Sequence, residues 1–442
     1  MAGASDIFVV DGPSCAGERL LSYEHYRGSP RREAFFSRMK WAIDLIRGLH
    51  GSILNLSRAN ESRAARVYYV PSFFSLLIAL SDEESLRCLV RASAAITSSS
   101  LYWRNLGYDH FYVHGMEYPV VSDFDFAWAK PQQRDEAKLW MVRAFYASTR
   151  NMAILTTGEL SQGPGSWALA GNLYNSRRVV NVPFTLHEGC ENYVQEPRNI
   201  RLSFVGSVQA RNHERLLFLR AAILEHGGAI GSGATVVKTS KLQLRAWVQV
   251  DKAEPLNHTQ RLLLQAKRWW LHHLYRRSEL CVVAPGDAPA LGQRLSDVLT
   301  AGCIPVVLLG PGTQPVLPLQ GAIPWEDFAV FVRLGDDVTS ARWALRRLWA
   351  MSQKELSRRR ERLLFWRPHL ASSFGAKCSR DLKPTLAELA VGEVLQAQAI
   401  WRRQLPFGSL EMNSSACHRG GQPLEGLEPR CRLLKEMLPV WG

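Results

Sequence analysis

The stretch Ser278–Pro305, SELCVVAPGDAPALGQRLSDVLTAGCIP, constrains the fold more than any other part of the 442-residue chain. Its apolar run, Leu280–Ala284, reads as a buried strand, and Pro285-Gly286 turns the chain sharply after it. A helix begins near Pro289, since proline suits a first helical turn, and Gly302 stands where that helix should stop. The next strand starts at Cys303. Strand, turn, helix and strand in this order make a βαβ unit, whose two strands run parallel.

Elsewhere short apolar runs alternate with amphipathic stretches, the pattern of an α/β protein with parallel sheets. Strands are expected within Asp6–Val10, Ala65–Leu77, Tyr108–Gly115, Met152–Gly158 and Arg177–Phe184, and helices around Arg32–Leu49 and Asp82–Ile96. The polar, turn-rich segment Thr185–Arg198 marks a linker. After it, Ile200–Gly206 reads as a strand ending in glycine and followed by a helix, the arrangement that opens a nucleotide-binding half-domain. Further strands are expected in SELCVVAPG, CIPVVLLG and FAVFV, and a long basic helix at about Ser340–Leu364 closes this half. The expected domains are residues 1–190, residues 191–370, and a C-terminal helix with a loose tail over 371–442.

Net charge is +14, from 54 Lys and Arg against 40 Asp and Glu, which favours anionic partners. The densest basic run, Ser357–Arg367, reads as a solvated helix face. No RRM-type or KH-type motif accompanies the charge, so a nucleic-acid-binding protein is the remote alternative and no nucleic-acid partner is expected. The eight cysteines are scattered, with no CxxC or Cys/His cluster to suggest zinc. Cys281 and Cys303 lie in apolar surroundings and read as small buried hydrophobes, while Cys417 and Cys431 could pair in an oxidising compartment. No run reaches the roughly 20 apolar residues that cross a bilayer, and the first residues lack a signal peptide's basic flank and apolar stretch. Membrane association would therefore need an anchor outside this sequence. Sequons at Asn55, Asn60, Asn257 and Asn413 hint at a lumenal setting.

Within the βαβ unit, the loop Pro285–Leu291 and the free amides of the following helix would face an anion beyond the strands' carboxyl ends. Arg294 and Asp297, three apart, share one helix face. Arg294 can pair with phosphate oxygens and Asp297 can accept from vicinal ribose hydroxyls. The alternative from spacing alone is an ordinary Arg–Asp surface pair.

These residues carry a resemblance. Ser278, Cys281, Pro285 and Gly286, then Arg294, then Gly302-Cys303-Ile304-Pro305-Val306, then Trp325 and Phe328, follow the order and spacing of the exostosin-like glycosyltransferases. Gly292 stands where the family usually has Ser, and Asp297 where it usually has Glu. ARVYYVPSFFSLL, LYWRNLGYDHFYVHG and RLSFVGS are similar to further family segments, with Trp103, Asp109, His110 and Phe111 matching by type. The resemblance spans about Asp6–Leu370.

It implies a GT-B fold, two Rossmann-like domains facing across a cleft, with the acceptor held by the N-terminal domain and the nucleotide sugar by the C-terminal one. It also implies an inverting enzyme, mostly Golgi-resident, that moves a sugar from a UDP-sugar donor to a glycan acceptor in polysaccharide or glycoprotein synthesis. Donor-binding candidates are Gly206, Arg211, Pro285, Gly286, Arg294 and Asp297; candidates for the base that deprotonates the acceptor are His110, His114 and Glu117. Basic side chains and helix amides can stabilise the leaving diphosphate without a cofactor or metal, though the arrangement leaves room for a divalent cation. The pair Asp123 and Asp125 reads as a loop feature rather than a metal site. The departures at Gly292 and Asp297 motivate a second reading, a catalytically impaired homologue that binds nucleotide or glycan.

Overall fold

The computed structural model describes residues 6–12, 14–57, 65–115, 117–118, 136–149, 151–159, 179–183, 196–206, 234–238, 270–284, 292–309, 315, 317–333, 338–370 and 384–404. The chain divides into two compact units, one of Met1–Val182 with Ala387–Gly442, the other of Pro183–Leu386.

The first unit is built on five strands, β1 (Ile7–Val9), β2 (Val67–Tyr69), β3 (His110–Val113), β5 (Ala153–Thr156) and β7 (Val179–Asn181), hydrogen-bonded in that order. All four pairings are parallel, so every carboxyl end lies on one edge. β4 (Glu117–Tyr118) and β6 (Gly158–Glu159) form a separate parallel pair just past that edge. β2, β3 and β5 are buried along their whole length, as their near-continuous apolar sequences require.

Helices α1 (Pro30–Leu56), α2 (Phe74–Leu80), α3 (Glu83–Thr97), α4 (Ser100–Arg104) and α5 (Glu136–Thr149) accompany these strands. Asp82 caps α3 by accepting from the Ser85 amide at 2.8 Å, and Glu83 and Glu84 add negative charge to its first turn. A disulfide joins Cys15 to Cys88 on α3, so the segment after β1 is fixed to that helix. Within Ala65–Leu77, expected as a strand running into a proline-marked turn, β2 does stop just before Pro71, and the apolar residues from Phe74 form α2.

The second unit holds β8 (Ile200–Gly206), β9 (Ala234–Lys238), β10 (Ser278–Val283), β11 (Ile304–Leu309) and β12 (Val330–Arg333) in the order β12-β11-β10-β8-β9, again all parallel. β9 was not expected from the sequence. Leu202 and Phe204 of β8, Leu280 and Val282 of β10 with Ala284 just beyond it, and Ile304, Val306 and Leu308 of β11 alternate onto one face. They pack with Leu345, Leu348 and Leu356. Each of the larger side chains, Val, Leu, Ile and Phe, contributes roughly 1.5–3 kcal/mol by leaving water.

Helices α6 (Gly292–Thr300), α7 (Val338–Trp349) and α8 (Gln353–Leu370) belong to this unit. The single basic helix expected over Ser340–Leu364 is α7 and α8, broken at Ala350–Ser352. Its charges are not simply a solvated face. Arg359 donates to the Glu326 and Ala329 carbonyls at 3.0 and 2.7 Å, Arg360 pairs with Glu279 of β10, and Arg367 donates to the Thr300 carbonyl at 2.9 Å. These guanidiniums tie α8 to the sheet and to α6.

Helix α9 (Leu386–Gln404) returns to the first unit, where Gln398 donates to the Arg66 carbonyl at 2.6 Å. Among the described residues no helix is long and apolar enough to cross a membrane.

Candidate functional site

In the second unit the chain runs from β8 outward to β9, then back across β8 to β10, β11 and β12. Numbered from β8, that is the order 2-1-3-4-5, which reverses between β8 and β10. Sheets of this kind bind ligands at the reversal, outside the carboxyl ends of the strands. The residues there are Gly206, which ends β8 beside Lys238 of β9, and Ala284, which follows β10.

Helix α6 is anchored at both ends of this arrangement. At its first turn, Arg294 Nη1 donates to the Ala284 carbonyl at 3.2 Å, placing the guanidinium at the carboxyl end of β10. A guanidinium has five N–H donors and this contact uses one. At its last turn, Arg198 donates to the Ala301 and Gly302 carbonyls at 2.9 and 2.8 Å, and Arg367 to Thr300. Two cations on the C-terminal carbonyls complement the helix dipole and leave its positive end at the strand ends, where an anion would be favoured. Arg211, Pro285 and Gly286, also expected to bind donor, lie outside the described residues.

Arg294 and Asp297 do not form the ion pair that spacing allowed. Asp297 Oδ1 lies 3.6 Å from His272 Nε2, on the helical stretch 270–276 that leads into β10. Tyr275 of the same stretch is buried against the pair. Burial pushes its phenol pKa up, with Arg294 pulling it down and Asp297 adding to the rise. Below them Cys281 and Cys303 are fully buried, as their surroundings implied, but they are joined as a disulfide rather than being two separate small hydrophobes. The parallel register explains it: Leu280 faces Ile304, so the residue after one and the residue before the other come within 5.9 Å at Cα.

In the first unit the expected bases fall in different places. His110 opens β3, so it lies at the amino end of the strand, opposite the ligand edge. Its ring is fully buried, stacked on Tyr68 at 5.0 Å, and Nδ1 meets Asp109 Oδ1 at 2.7 Å. Arg104 covers the same Tyr68 ring at 5.0 Å and lies 3.9 Å from Asp109. This cluster holds the YDHFYV segment together internally. Gly107, at φ +78°, serves it too, since a Cβ there would strike the Tyr102 ring.

His114 follows β3 and does sit at the carboxyl edge, but it is fully buried. Burial pushes its imidazole pKa down to about 3, so it is neutral at physiological pH. Gly115, at φ +68°, passes so close to α1 that a Cβ would run into Ile46. Glu117 begins β4, near the same edge. Asp123 and Asp125 lie outside the described residues.

One arrangement at that edge had no sequence signal. The segment after β1 carries Glu18, whose Oε1 lies 2.9 Å from His50 Nε2 on α1, and His50 Nδ1 lies 3.0 Å from the Tyr69 hydroxyl at the end of β2. Tyr69 is fully buried and the His50 side chain is 7% exposed, while the Glu18 side chain is 72% exposed. The three residues are 32 and 19 positions apart, and no motif spans them.

Among the described residues no group of three or more His, Cys, Asp or Glu is placed to hold a metal ion. A family model for the Exostosin GT47 domain matches residues 4–348. No curated protein matches the sequence significantly. Similar solved structures include the GtfA/B complex, at 9% identity over 71% of this chain and 61% of that one, TM-score 0.35. WaaG, a glycosyltransferase involved in lipopolysaccharide biosynthesis, aligns at 12% identity over 64% of this chain and 73% of that one, TM-score 0.32. Arabidopsis thaliana UGT89C1 complexed with quercetin aligns at 11% identity over 82% and 77%, TM-score 0.31. The chain thus spans about three-fifths of the GtfA/B chain it matches. The two parallel sheets give an α/β, GT-B-type fold of two Rossmann-like units. With the family match extending through both sheets, the chain belongs to the exostosin GT47 family of glycosyltransferases.

Proposed function

We propose that this protein transfers a sugar from a nucleotide-sugar donor, a UDP-sugar, to a hydroxyl of a glycan acceptor, with inversion at the anomeric carbon and without a cofactor. The observation that carries the reading is the strand reversal between β8 and β10, with the first turn of α6 and Arg294 at the same strand ends. The acceptor oxygen attacks the anomeric carbon from the face opposite the diphosphate and gives up its proton to a base. The electron pair of the breaking C–O bond goes to the diphosphate, whose growing charge Arg294 and the α6 amides stabilise. Asp297 and the Gly206 turn complete the donor side, and Arg211, Pro285 and Gly286 remain donor-binding candidates by family resemblance.

A Golgi setting in polysaccharide or glycoprotein synthesis suits the family. Two disulfides, Cys15–Cys88 and Cys281–Cys303, support an oxidising compartment, as does the exposed sequon residue Asn55 at the end of α1. The test is UDP release from a panel of UDP- and GDP-sugars, with and without glycan acceptors. Folded protein that binds UDP and turns over at least one donor sustains the reading; no binding and no turnover across the panel sinks it.

A second reading, a nucleotide- or glycan-binding homologue that no longer transfers, draws on Asp297. Its carboxylate is one methylene shorter than the family's Glu and lies 3.6 Å from His272 Nε2. UDP binding without turnover in the same panel would favour it.

A further inference from the structure

We propose that Glu18 is the general base that takes the proton of the acceptor hydroxyl, held for that task by His50 and, through it, by Tyr69. The proposal rests on the transferase reading above. Glu18 lies on the segment that leaves the carboxyl end of β1, the edge at which parallel sheets present ligand-binding loops. That segment is pinned there. The Phe73 amide, past the end of β2, donates to the Ala16 carbonyl at 2.8 Å, Arg47 of α1 donates to the Leu21 carbonyl, and the Cys15–Cys88 disulfide ties its start to α3.

The chemistry follows from the order of the three groups. An ionised carboxylate only accepts hydrogen bonds, so His50 Nε2 carries the hydrogen and donates to Glu18 at 2.9 Å. A neutral His50 then has Nδ1 as acceptor, and the Tyr69 O–H donates to it at 3.0 Å. Burial, with a smaller contribution from Glu18, pushes the Tyr69 phenol pKa up, so it remains a donor and fixes the tautomer. One carboxylate oxygen of Glu18 is thereby held from below, and the side chain opens to solvent above. His50 and Tyr69 are positioning residues; only Glu18 would touch substrate.

The two histidine candidates offer less. His110 is buried at the far end of its strand and His114 has no exposed surface from which to reach a hydroxyl. In the proposed step the Glu18 carboxylate accepts the hydroxyl proton, the oxygen–anomeric carbon bond forms, and the C–O bond to the diphosphate breaks with its electron pair leaving on UDP.

The test uses the full chain and the UDP-sugar that wild type hydrolyses fastest, with water as acceptor. Glu18→Gln should lower UDP release at least about 100-fold, the usual scale for losing a base. UDP affinity by calorimetry should stay within about twofold, since the variant leaves the second unit untouched. Azide attacks without losing a proton, so it should restore UDP release in Glu18→Gln by about tenfold or more and yield the glycosyl azide. Tyr69→Phe, which keeps the ring in place, should lower kcat about fivefold to tenfold with KM unchanged. Glu18→Gln releasing UDP within threefold of wild type overturns the proposal. So does a loss matched by lost UDP binding, or an azide-insensitive loss, because either would mark a structural role. A wild type that binds no UDP would overturn the transferase reading itself and this proposal with it.

Discussion

His272 Nε2 lies 3.6 Å from Asp297 Oδ1, which brings the carboxylate at the middle of α6 beside the helical stretch that feeds β10. This contact bears on how Asp serves where the family's Glu would reach one methylene further. Asp297→Ala is expected to weaken UDP binding about tenfold, equivalent to about 1.4 kcal/mol. His272→Gln should weaken it by a smaller factor of about three, by loosening the carboxylate without removing it. Titration calorimetry with UDP checks both, and unchanged affinity in Asp297→Ala would remove Asp297 from the donor site.

Arg294 is expected to matter more for turnover than for binding. Its guanidinium is anchored on the Ala284 carbonyl, beside the strand ends where the diphosphate charge would grow. Arg294→Ala should cut kcat for UDP release by about 100-fold. Arg294→Lys should recover only part of it, because an ammonium cannot keep the carbonyl contact and pair with phosphate through the same planar fork. Steady-state kinetics on the donor identified by the panel separates the two effects.

The sequence made the donor half legible because a buried parallel strand, a glycine stop and a helix start leave local signatures. β8, β10, β11 and α6 were all recovered from such patterns. What escaped depends on contacts between distant residues. β9 is a short apolar run with no periodicity of its own, yet its edge position creates the reversal at β8. The Cys281–Cys303 bond follows from a register that only the paired strands reveal. Arg359, Arg360 and Arg367 looked like surface charge because their partners are backbone carbonyls or lie far along the chain. His110 was drawn toward catalysis by its motif, whereas its position at the start of β3 is a fact of strand boundaries.

The two disulfides among the described residues should be measurable as stability. A bond closing 73 residues, Cys15–Cys88, is worth roughly 4 kcal/mol in the chain-entropy picture. Cys15→Ser with Cys88→Ser is therefore expected to lower the Tm of the first unit by roughly 10 °C. Calorimetric melting of the double variant beside wild type checks this. A mass shift of the native protein after reduction and alkylation should first show both bonds formed.

Acid sensitivity should trace to His114. Its folded pKa is pushed down to about 3 by burial, while the unfolded chain titrates near the ordinary value of 6.5. Between those values the unfolded state binds one more proton than the folded state, so stability rises with pH across that window. Above pH 6.5 the imidazole is neutral in both states and adds no pH dependence. Below it, each pH unit removes up to about 1.4 kcal/mol until the folded state also protonates near pH 3. His114→Gln, which cannot take up that proton, should flatten the dependence of unfolding free energy on pH by about one proton between pH 4 and 6. Urea unfolding at several pH values measures the slope directly. An unchanged slope in the variant would mean that His114 opens to solvent or keeps a partner that stabilises its charge.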